Sequence, residues 1–244
     1  MPEFSLELLV VLFLILGAEF VNGWTDAPNA IATVVSTRSL SPRQAVAMAA
    51  VFNLAGVFAG TAVAKTIGKG IVDPAVINLT TVGGAMVGII LWSSLAARWG
   101  IPTSESHGLV AGLTGAGLAT AGPQALVWAG WQKVLVGLAF STFLGFGGGA
   151  VMLVLVTWMF SRTGSGKVRK ASRVLQVCSS AFMAFSHGSN DGQKFMGAFA
   201  LALLLAAGSG VPDHFPIPVW VILTCAVVMA LGTMVGGWKI IRTM

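Results

Sequence analysis

The stretch Phe185-Ser186-His187-Gly188-Ser189-Asn190-Asp191-Gly192-Gln193-Lys194 places an imidazole, two amides, a carboxylate and an ammonium group within eight residues. Apolar sequence flanks it on both sides, over residues 174–185 and 195–207. A charged side chain at the centre of a bilayer costs at least ~2.5–3.5 kcal/mol. Such a cluster therefore implies that its polar groups face one another, water or a ligand.

A weaker copy of this stretch, Phe20-Val21-Asn22-Gly23-Trp24-Thr25-Asp26-Ala27-Pro28-Asn29, lies 165 positions earlier. Aligning Asp26 with Asp191 also aligns Phe20 with Phe185 and Gly23 with Gly188. Two polar, glycine-bearing interruptions at corresponding places in two apolar halves indicate a transporter binding site.

Composition defines the class of protein around these two stretches. The chain has 244 residues, of which 56% are hydrophobic and 9% charged, with a mean hydropathy of +0.87. An average soluble domain is about 25% charged. The apolar runs are long and continuous, unlike the alternating segments of about ten residues in a membrane barrel. The sequence therefore predicts an all-α polytopic membrane protein, with the lipid bilayer as its surroundings.

The net charge of +6 is concentrated in one short polar segment, residues 161–173. Its basic residues are Arg162, Lys167, Arg169, Lys170 and Arg173. The positive-inside rule places such a loop in the cytoplasm, so the charge indicates a multi-pass protein of the cell membrane and no nucleic-acid partner. The two cysteines, Cys178 and Cys225, lie in apolar runs and form no metal-spaced motif.

The two polar stretches predict broken helices. Asp26 is a good N-cap and Pro28 suits a first helical turn, so we expect a new helical segment to start at Asp26. Single spans are expected over residues 44–67, 77–99 and 216–237, and two closely joined spans over residues 125–160, turning near residues 145–149. Two Gly-x-x-x-Gly pairs, Gly56 with Gly60 and Gly84 with Gly88, are expected to be close-packing faces.

The apolar run over residues 108–121 is too short to span the bilayer. With Pro102 at the break before it, residues 101–121 are expected to form a re-entrant or half helix. Hydroxyl groups crowd its N-terminal turn, which makes the turn a candidate anion site. Ordinary capping at a membrane surface is the alternative. The predicted organisation is a first inverted repeat over residues 1–160, a basic cytoplasmic loop over 161–173, and an incomplete second repeat over 174–244.

Two chemistries meet in these interruptions. Asp26 and Asp191, each near an amide (Asn29 and Asn190), are hard oxygen ligands for a small cation or a carried proton. Hydroxyls and N–H donors suited to an oxyanion come from Thr25, Thr103, Ser104, Ser106, Gln193 and Lys194. A cation bound beside an anion offsets the cost of removing the anion from water. The structural alternatives are that Lys194 pairs only with Asp191 or Glu105, and that His187 and His107 are packing residues.

Four blocks carry a resemblance: residues 23–30, residues 31–38, Pro102-Thr-Ser-Glu-Ser-His107 and Ser186-His-Gly-Ser-Asn-Asp-Gly-Gln-Lys194. In this order they resemble the PiT family of inorganic phosphate transporters. The resemblance implies a homodimeric symporter that carries inorganic phosphate with Na⁺ or H⁺ as the coupling ion, without a cofactor. It implies a cation site at Asp26, Asn29, Asn190, Asp191 and Thr25, and a phosphate site at Thr103, Ser104, Ser106, Gln193 and Lys194. Thr25 stands where many members have asparagine.

The family also has a second Pro-x-Ser-x-x-His block, in the second repeat. The first block begins 76 positions after Asp26, and the same spacing after Asp191 falls beyond Met244. The sequence therefore predicts impaired transport by these 244 residues alone. Two other functions remain open: a membrane-embedded enzyme using His187, Asp191 and His107 on a phosphate-containing or lipid substrate, and an ion channel of similar architecture.

Overall fold

The computed structural model describes residues 5–208 and 217–244, which form helices joined by short turns. The helices are α1 Leu6–Ser36, α2 Pro42–Val57, α3 Ala62–Gly70, α4 Leu79–Trp99, α5 Glu105–Ala121, α6 Trp128–Phe160, α7 Ser165–His187, α8 Gln193–Ala206, α9 Val219–Val235 and α10 Trp238–Thr243. A 3-10 turn, Gly122–Ala125, precedes α6, and a π-helical turn, Gly188–Gly192, joins α7 to α8. The predicted all-α membrane class is confirmed.

Three helices among the described residues, α1, α4 and α6, are long and apolar enough to cross a bilayer. The predicted span over 77–99 is confirmed as α4, and the last predicted span contains α9. Pro216, the predicted first residue of that last span, lies outside the described residues.

The predicted break at Asp26 is wrong, because α1 continues through Pro28 as one helix of 31 residues. A proline inside a helix removes one N–H and leaves the carbonyl four residues earlier without its donor. Here that carbonyl belongs to Trp24, and both it and the Pro28 ring lie against Gly237, which links α9 to α10. Because Gly237 has no side chain, the neighbouring backbone can cover the irregular turn and the helix need not end.

The predicted single span over residues 44–67 is also wrong. The helix ends at Val57, and α3 begins at Ala62 after a turn that contains Gly60. The Gln193 side chain lies at this turn, where its Oε1 accepts a hydrogen bond from the Val63 N–H at 3.1 Å. An acceptor from another helix thus satisfies a donor that the new helix start exposes.

Residues 128–160 form one helix, α6, and not two joined spans. No proline interrupts it, and the hydroxyls of Ser141 and Thr142 donate to the Leu138 carbonyl within the helix. In an apolar environment, a helix satisfies all its own backbone groups even where glycines are frequent. Within the described part of the chain, only Gly130 of this helix is buried, against Gly70 of α3.

The second polar stretch does not break its helix either. The chain stays helical from Ser165 to Ala206, with the π turn in the place of the predicted interruption. Single π turns inside α-helices are frequent at functional sites. The basic segment predicted as a loop over 161–173 is helical from Ser165 onward.

The helix packing repeats one close contact in two places. A Cβ on Gly23 would overlap the Met229 carbonyl of α9, and a Cβ on Gly232 would overlap the Phe20 carbonyl of α1. In the other half, a Cβ on Gly188 would overlap the Asn53 carbonyl of α2. A Cβ on Gly56 would overlap the Phe185 carbonyl of α7. Since Phe20 and Gly23 align with Phe185 and Gly188, both copies of the motif make the same kind of contact.

These contacts frame an apolar core formed by α1, α4, α5, α8 and α9, which includes Leu8, Ile15, Met86, Leu109, Phe195 and Leu201. Gly56 fulfils the expected role of a close-packing residue. Gly84 and Gly88 do not, because nothing in the described structure lies within 4 Å of a Cβ placed on either of them.

Replacing Gly56 by alanine should lower the stability of the folded chain. The added methyl group would overlap the Phe185 carbonyl, and overpacking of this kind costs about 1–3 kcal/mol. The matched control is Gly84→Ala, where the Cβ meets open space and the better helix former is expected to stabilise by roughly 0.5–1 kcal/mol. Thermal unfolding of both variants in the same detergent measures the difference. Equal unfolding temperatures for the two variants would contradict this packing.

Candidate functional site

A polar stripe runs along one face of α1. Its members, Glu19, Asn22, Asp26 and Asn29, are spaced by three or four residues, which places them on one side of a helix. The first three are buried, and Asn29 is exposed. The π turn and the start of α8 supply Asp191 and Lys194 near this stripe, and the start of α5 supplies Glu105 and Ser106.

Asp26 and Asp191 converge on one imidazole. The His187 Nε2 lies 3.8 Å from Asp26 Oδ2 and 3.7 Å from Asp191 Oδ2. Asn29 Nδ2 donates to the other oxygen of Asp26 at 3.2 Å. The ligand atoms of the two carboxylates and the imidazole all lie within 4.8 Å of one another. The alignment of the two motifs therefore corresponds to a physical meeting of their acidic residues.

Lys194 joins this cluster to the start of α5. Its Nζ lies 2.5 Å from Asp191 Oδ1 and also donates to the Ser106 hydroxyl. Asp191 and Lys194 are each 8% exposed, so their charges interact in a largely desolvated setting. The ammonium group offsets one of the carboxylates and leaves the other facing the imidazole.

Asn53 fixes the orientation of the imidazole. The Thr233 hydroxyl donates to the Met229 carbonyl and accepts from Asn53 Nδ2 at 3.0 Å. The remaining amide oxygen, Asn53 Oδ1, therefore accepts from His187 Nδ1 at 3.0 Å. With Nδ1 used in this way, Nε2 is directed at the two carboxylates and has no hydrogen-bond partner among the described residues.

Glu105 forms a second acidic centre at the first turn of α5. Its Oε1 accepts from the Thr25 hydroxyl at 2.8 Å, and its Oε2 accepts from the Ser93 hydroxyl at 2.6 Å. The residue is 1% exposed. A carboxylate at this end of a helix is favoured by the helix dipole. Thr25, predicted as a cation ligand, thus contacts Glu105.

Three of the predicted site residues lie away from this cluster. Asn190 is exposed and donates to the Ser186 carbonyl of its own helix at 2.8 Å. Thr103 and Ser104 line a groove of about 470 Å³ between α4 and α5, together with Trp92 and the exposed His107. Ser104 also caps α5 through a bond from the His107 N–H. Two more, Thr25 and Gln193, bond to Glu105 and to the start of α3 and not to the cluster. The predicted residues that are brought together are Asp26, Asn29, Asp191, Lys194 and Ser106.

Asn53 lies in an apolar run of the sequence, and its side chain forms an interhelical hydrogen bond to Thr233. The role of Asn53 in orienting His187 depends on a contact between two side chains that are distant in the sequence, and the sequence alone does not show that contact. The sequence does not indicate that Ser93 bonds to Glu105, because a serine in an apolar helix usually bonds to its own backbone.

Helices with buried ionisable residues at their centre define a membrane protein whose interior can bind ions. The carboxylate oxygens of Asp26 and Asp191, with the His187 nitrogen, form a set that suits a small cation or a proton.

Comparison with known proteins is consistent with this class. The model of the phosphate transporter family, PHO4, matches residues 22–244. The chain belongs to this family.

Relatives described as "Probable low-affinity inorganic phosphate transporter" occur in several bacteria. The chain is 42% identical to the one from Rhizobium meliloti (strain 1021) over 93% of this chain and 67% of that protein. It is 39% identical to the one from Bacillus subtilis (strain 168) over 98% of this chain and 72% of that protein. It is 41% identical to the one from Mycobacterium tuberculosis (strain ATCC 25618 / H37Rv) over 97% of this chain and 57% of that protein. The chain thus spans between 57% and 72% of the length of these relatives.

A solved structure described as "The sodium-dependent phosphate transporter" has the same fold, with a TM-score of 0.83. The match covers 98% of this chain and 78% of that one, at 22% sequence identity.

Replacing Lys194 by methionine should destabilise the chain, because it leaves Asp191 unpaired beside Asp26. Removing one partner of a buried ion pair costs about 3–5 kcal/mol. Adding Asp191→Asn to Lys194→Met should restore part of the loss, since the uncompensated charge is then removed. Lys133→Met, on the exposed face of α6, is the matched control. Thermal unfolding of the unsubstituted chain, the control, the single variants Lys194→Met and Asp191→Asn, and the double variant measures the coupling. A loss in the double variant equal to the sum of the two single losses would argue against the pairing.

Proposed function

We propose that this chain is a secondary transporter that moves inorganic phosphate across a membrane by symport with Na⁺ or H⁺. The observation that carries the proposal is the meeting of Asp26 and Asp191 at His187, inside a helical membrane protein of the phosphate transporter family. Two carboxylates are held within a few ångströms of each other, with one ammonium group to offset them. Such an arrangement favours binding of a further positive charge.

The coupling cation would bind between Asp26 and Asp191, with Asn29 holding Asp26 in place through its amide. The Nε2 of His187 is the third group facing this position. A cation here would reduce the repulsion between the two carboxylates. The same positive charge would also attract an anion to the neighbouring donors, so cation and phosphate would each strengthen the binding of the other.

Phosphate would bind on the side of the cluster formed by α5 and α8. Lys194 and Ser106 already contact each other there, and Gln193 lies next in sequence. Backbone N–H groups at the start of α5 add donors suited to an anion. Thr103 and Ser104 precede the same helix start, and the Thr103 hydroxyl is buried without a hydrogen-bond partner among the described residues. Thr103 and Ser104 would become phosphate ligands when the groove between α4 and α5 rearranges.

Alternating access would come from movement of one repeat against the other. The reciprocal glycine contacts support a division into two equivalent parts, with residues 1–160 and 174–244 as inverted repeats. The basic residues of 161–173 support a cytoplasmic position for the segment between them, in the cell membrane. Assembly as a homodimer is part of the proposal through the family resemblance.

Phosphate binding should depend on the coupling ion. We expect the affinity of the purified chain in lipid vesicles to rise at least about tenfold, or 1.4 kcal/mol, when the coupling ion saturates its site. Calorimetric titration of phosphate with Na⁺ varied at fixed pH, and with pH varied in the absence of Na⁺, identifies the ion. Asp191→Asn should abolish the dependence. The control is Asp73→Asn, which keeps the side-chain oxygen that accepts from the Ala75 N–H and should leave the dependence on the ion intact.

Affinity that is independent of both ions would overturn the proposed coupling. Uptake by vesicles that hold the chain extended by the second Pro-x-Ser-x-x-His block separates symport from a channel, because only a symporter accumulates labelled phosphate against its own gradient when the ion gradient is applied.

Ser106→Ala should weaken phosphate binding without changing the coupling ion. A hydrogen bond from a hydroxyl to a charged group contributes about 1.5–3 kcal/mol, so the Kd should rise by roughly ten- to hundredfold. The control is Ser141→Ala, because the Ser141 hydroxyl is exposed and donates to the Leu138 carbonyl within its own helix, α6. The same titration measures both variants, and an unchanged Kd for Ser106→Ala would remove this residue from the phosphate site.

A further inference from the structure

Glu19 and Asn22 form a second buried polar pair on α1, two helical turns from Asp26. Both residues are 0% exposed. Asn22 Nδ2 donates to Glu19 Oε2 at 3.5 Å, which places the amide beside the carboxyl group. The two remaining oxygens, Glu19 Oε1 and Asn22 Oδ1, have no hydrogen-bond partner among the described residues.

The charged and titratable groups that act on Glu19 are few. Asp191 and Lys194 face it from the π turn and α8, and the thiol of Cys225 faces it from α9. The Lys194 ammonium is already engaged by Asp191 and Ser106. No cationic side chain in the described part of the chain forms an ion pair with Glu19.

An ionised carboxylate in this position would be buried and without an ion-pair partner among the described residues, and the charge of Asp191 would repel it. Burying an isolated carboxylate is so costly that such a group takes up a proton instead. Protonation converts Oε1 from an acceptor into a donor, and Asn22 Oδ1 is the orphaned acceptor of the same pair. A protonated pair in which Oε1 donates to Oδ1, with the amide still donating to Oε2, would satisfy both oxygens with one proton.

We propose that Glu19 and Asn22 form a proton-binding site that is separate from the cation site at Asp26 and Asp191. The two sites lie on one face of α1, seven residues or roughly 10 Å apart along the helix. Lys194 and Asp191 act on both of them. Loss of the Glu19 proton would place a negative charge near the Lys194 and Asp191 pair and strengthen attraction for a cation there.

The existence of the proton site does not rest on the proposed transport function, whereas its use in coupling does. A spectroscopic test is therefore preferable, because it needs no transport. If uptake fails and the spectrum is as expected, only the proposed function is in doubt.

The test is infrared spectroscopy of the full chain in lipid vesicles at neutral pH, with and without ¹³C-labelled glutamate. We expect the carbonyl band of a protonated carboxylic acid, shifted by the glutamate label and absent in Glu19→Gln. Asn22→Leu should move the same band to higher frequency, because the acid loses its hydrogen-bond acceptor. Glu7→Gln, where the exposed carboxylate bonds to the Thr80 hydroxyl, is the matched control and should keep the band unchanged.

Two results would overturn the proposal. They are the absence of a label-sensitive acid band in the unsubstituted chain and its persistence in Glu19→Gln. The label shift on the unsubstituted chain assigns the band to a glutamate. Glu105→Gln, which removes the other buried glutamate and should keep the band, is the second variant that separates the two if Glu19→Gln fails to fold.

Discussion

The structure depends on the need to neutralise carboxylates in an apolar interior. Asp26 and Asp191 come from distant parts of the sequence, and each is buried where water cannot solvate it well. They share one imidazole, and Lys194 offsets Asp191 directly. Because an unpaired buried charge costs several kcal/mol, helices that carry such residues are held together by their polar contacts as well as by packing. The cluster therefore serves the fold and the proposed function at once.

Close backbone contact makes this pairing geometrically feasible. Side chains as short as aspartate reach a common partner only if their helices approach closely, and glycines at the crossings allow that approach. Gly23 and Gly232 bring α1 to α9, and Gly188 and Gly56 bring the π turn to α2. Asn53 lies in the second crossing, where its carbonyl contacts Gly188 and its side chain holds His187. The packing of the two halves and the orientation of the imidazole are thus set by the same few residues.

Sequence reasoning located the cluster but misjudged the backbone that presents it. Charge in an apolar run is a strong signal, and the alignment of Asp26 with Asp191 was sufficient to predict a shared site. Pro28 is a weaker signal, because its effect depends on whether another segment can cover the exposed carbonyl, as Gly237 does. The break between α2 and α3 is supported by Gln193, which lies 130 residues from its partner Val63. No local pattern contains that information.

Side-chain direction was the other quantity that the sequence left undetermined. Asn190 and Asp191 are neighbours, yet one is exposed and the other contacts His187 and Lys194. Which of them points inward depends on the helical register through the π turn. The same limit applies to Thr103 and Ser104, which face a groove while Ser106 contacts Lys194.

The π turn over Gly188–Gly192 has a consequence for how this protein can vary. A π turn accommodates one residue more than an α-helical turn, and each residue of an α-helix rotates the chain by about 100°. Removing a single residue between His187 and Gln193 would restore an ordinary α-helical turn and leave α8 nearly in register with α7, but it would redirect the side chains of the turn itself. Asp191, which reaches His187 and Lys194 from this turn, is the group that would move. The extra residue therefore sets the direction of a functional side chain, whereas the helices on either side tolerate its loss.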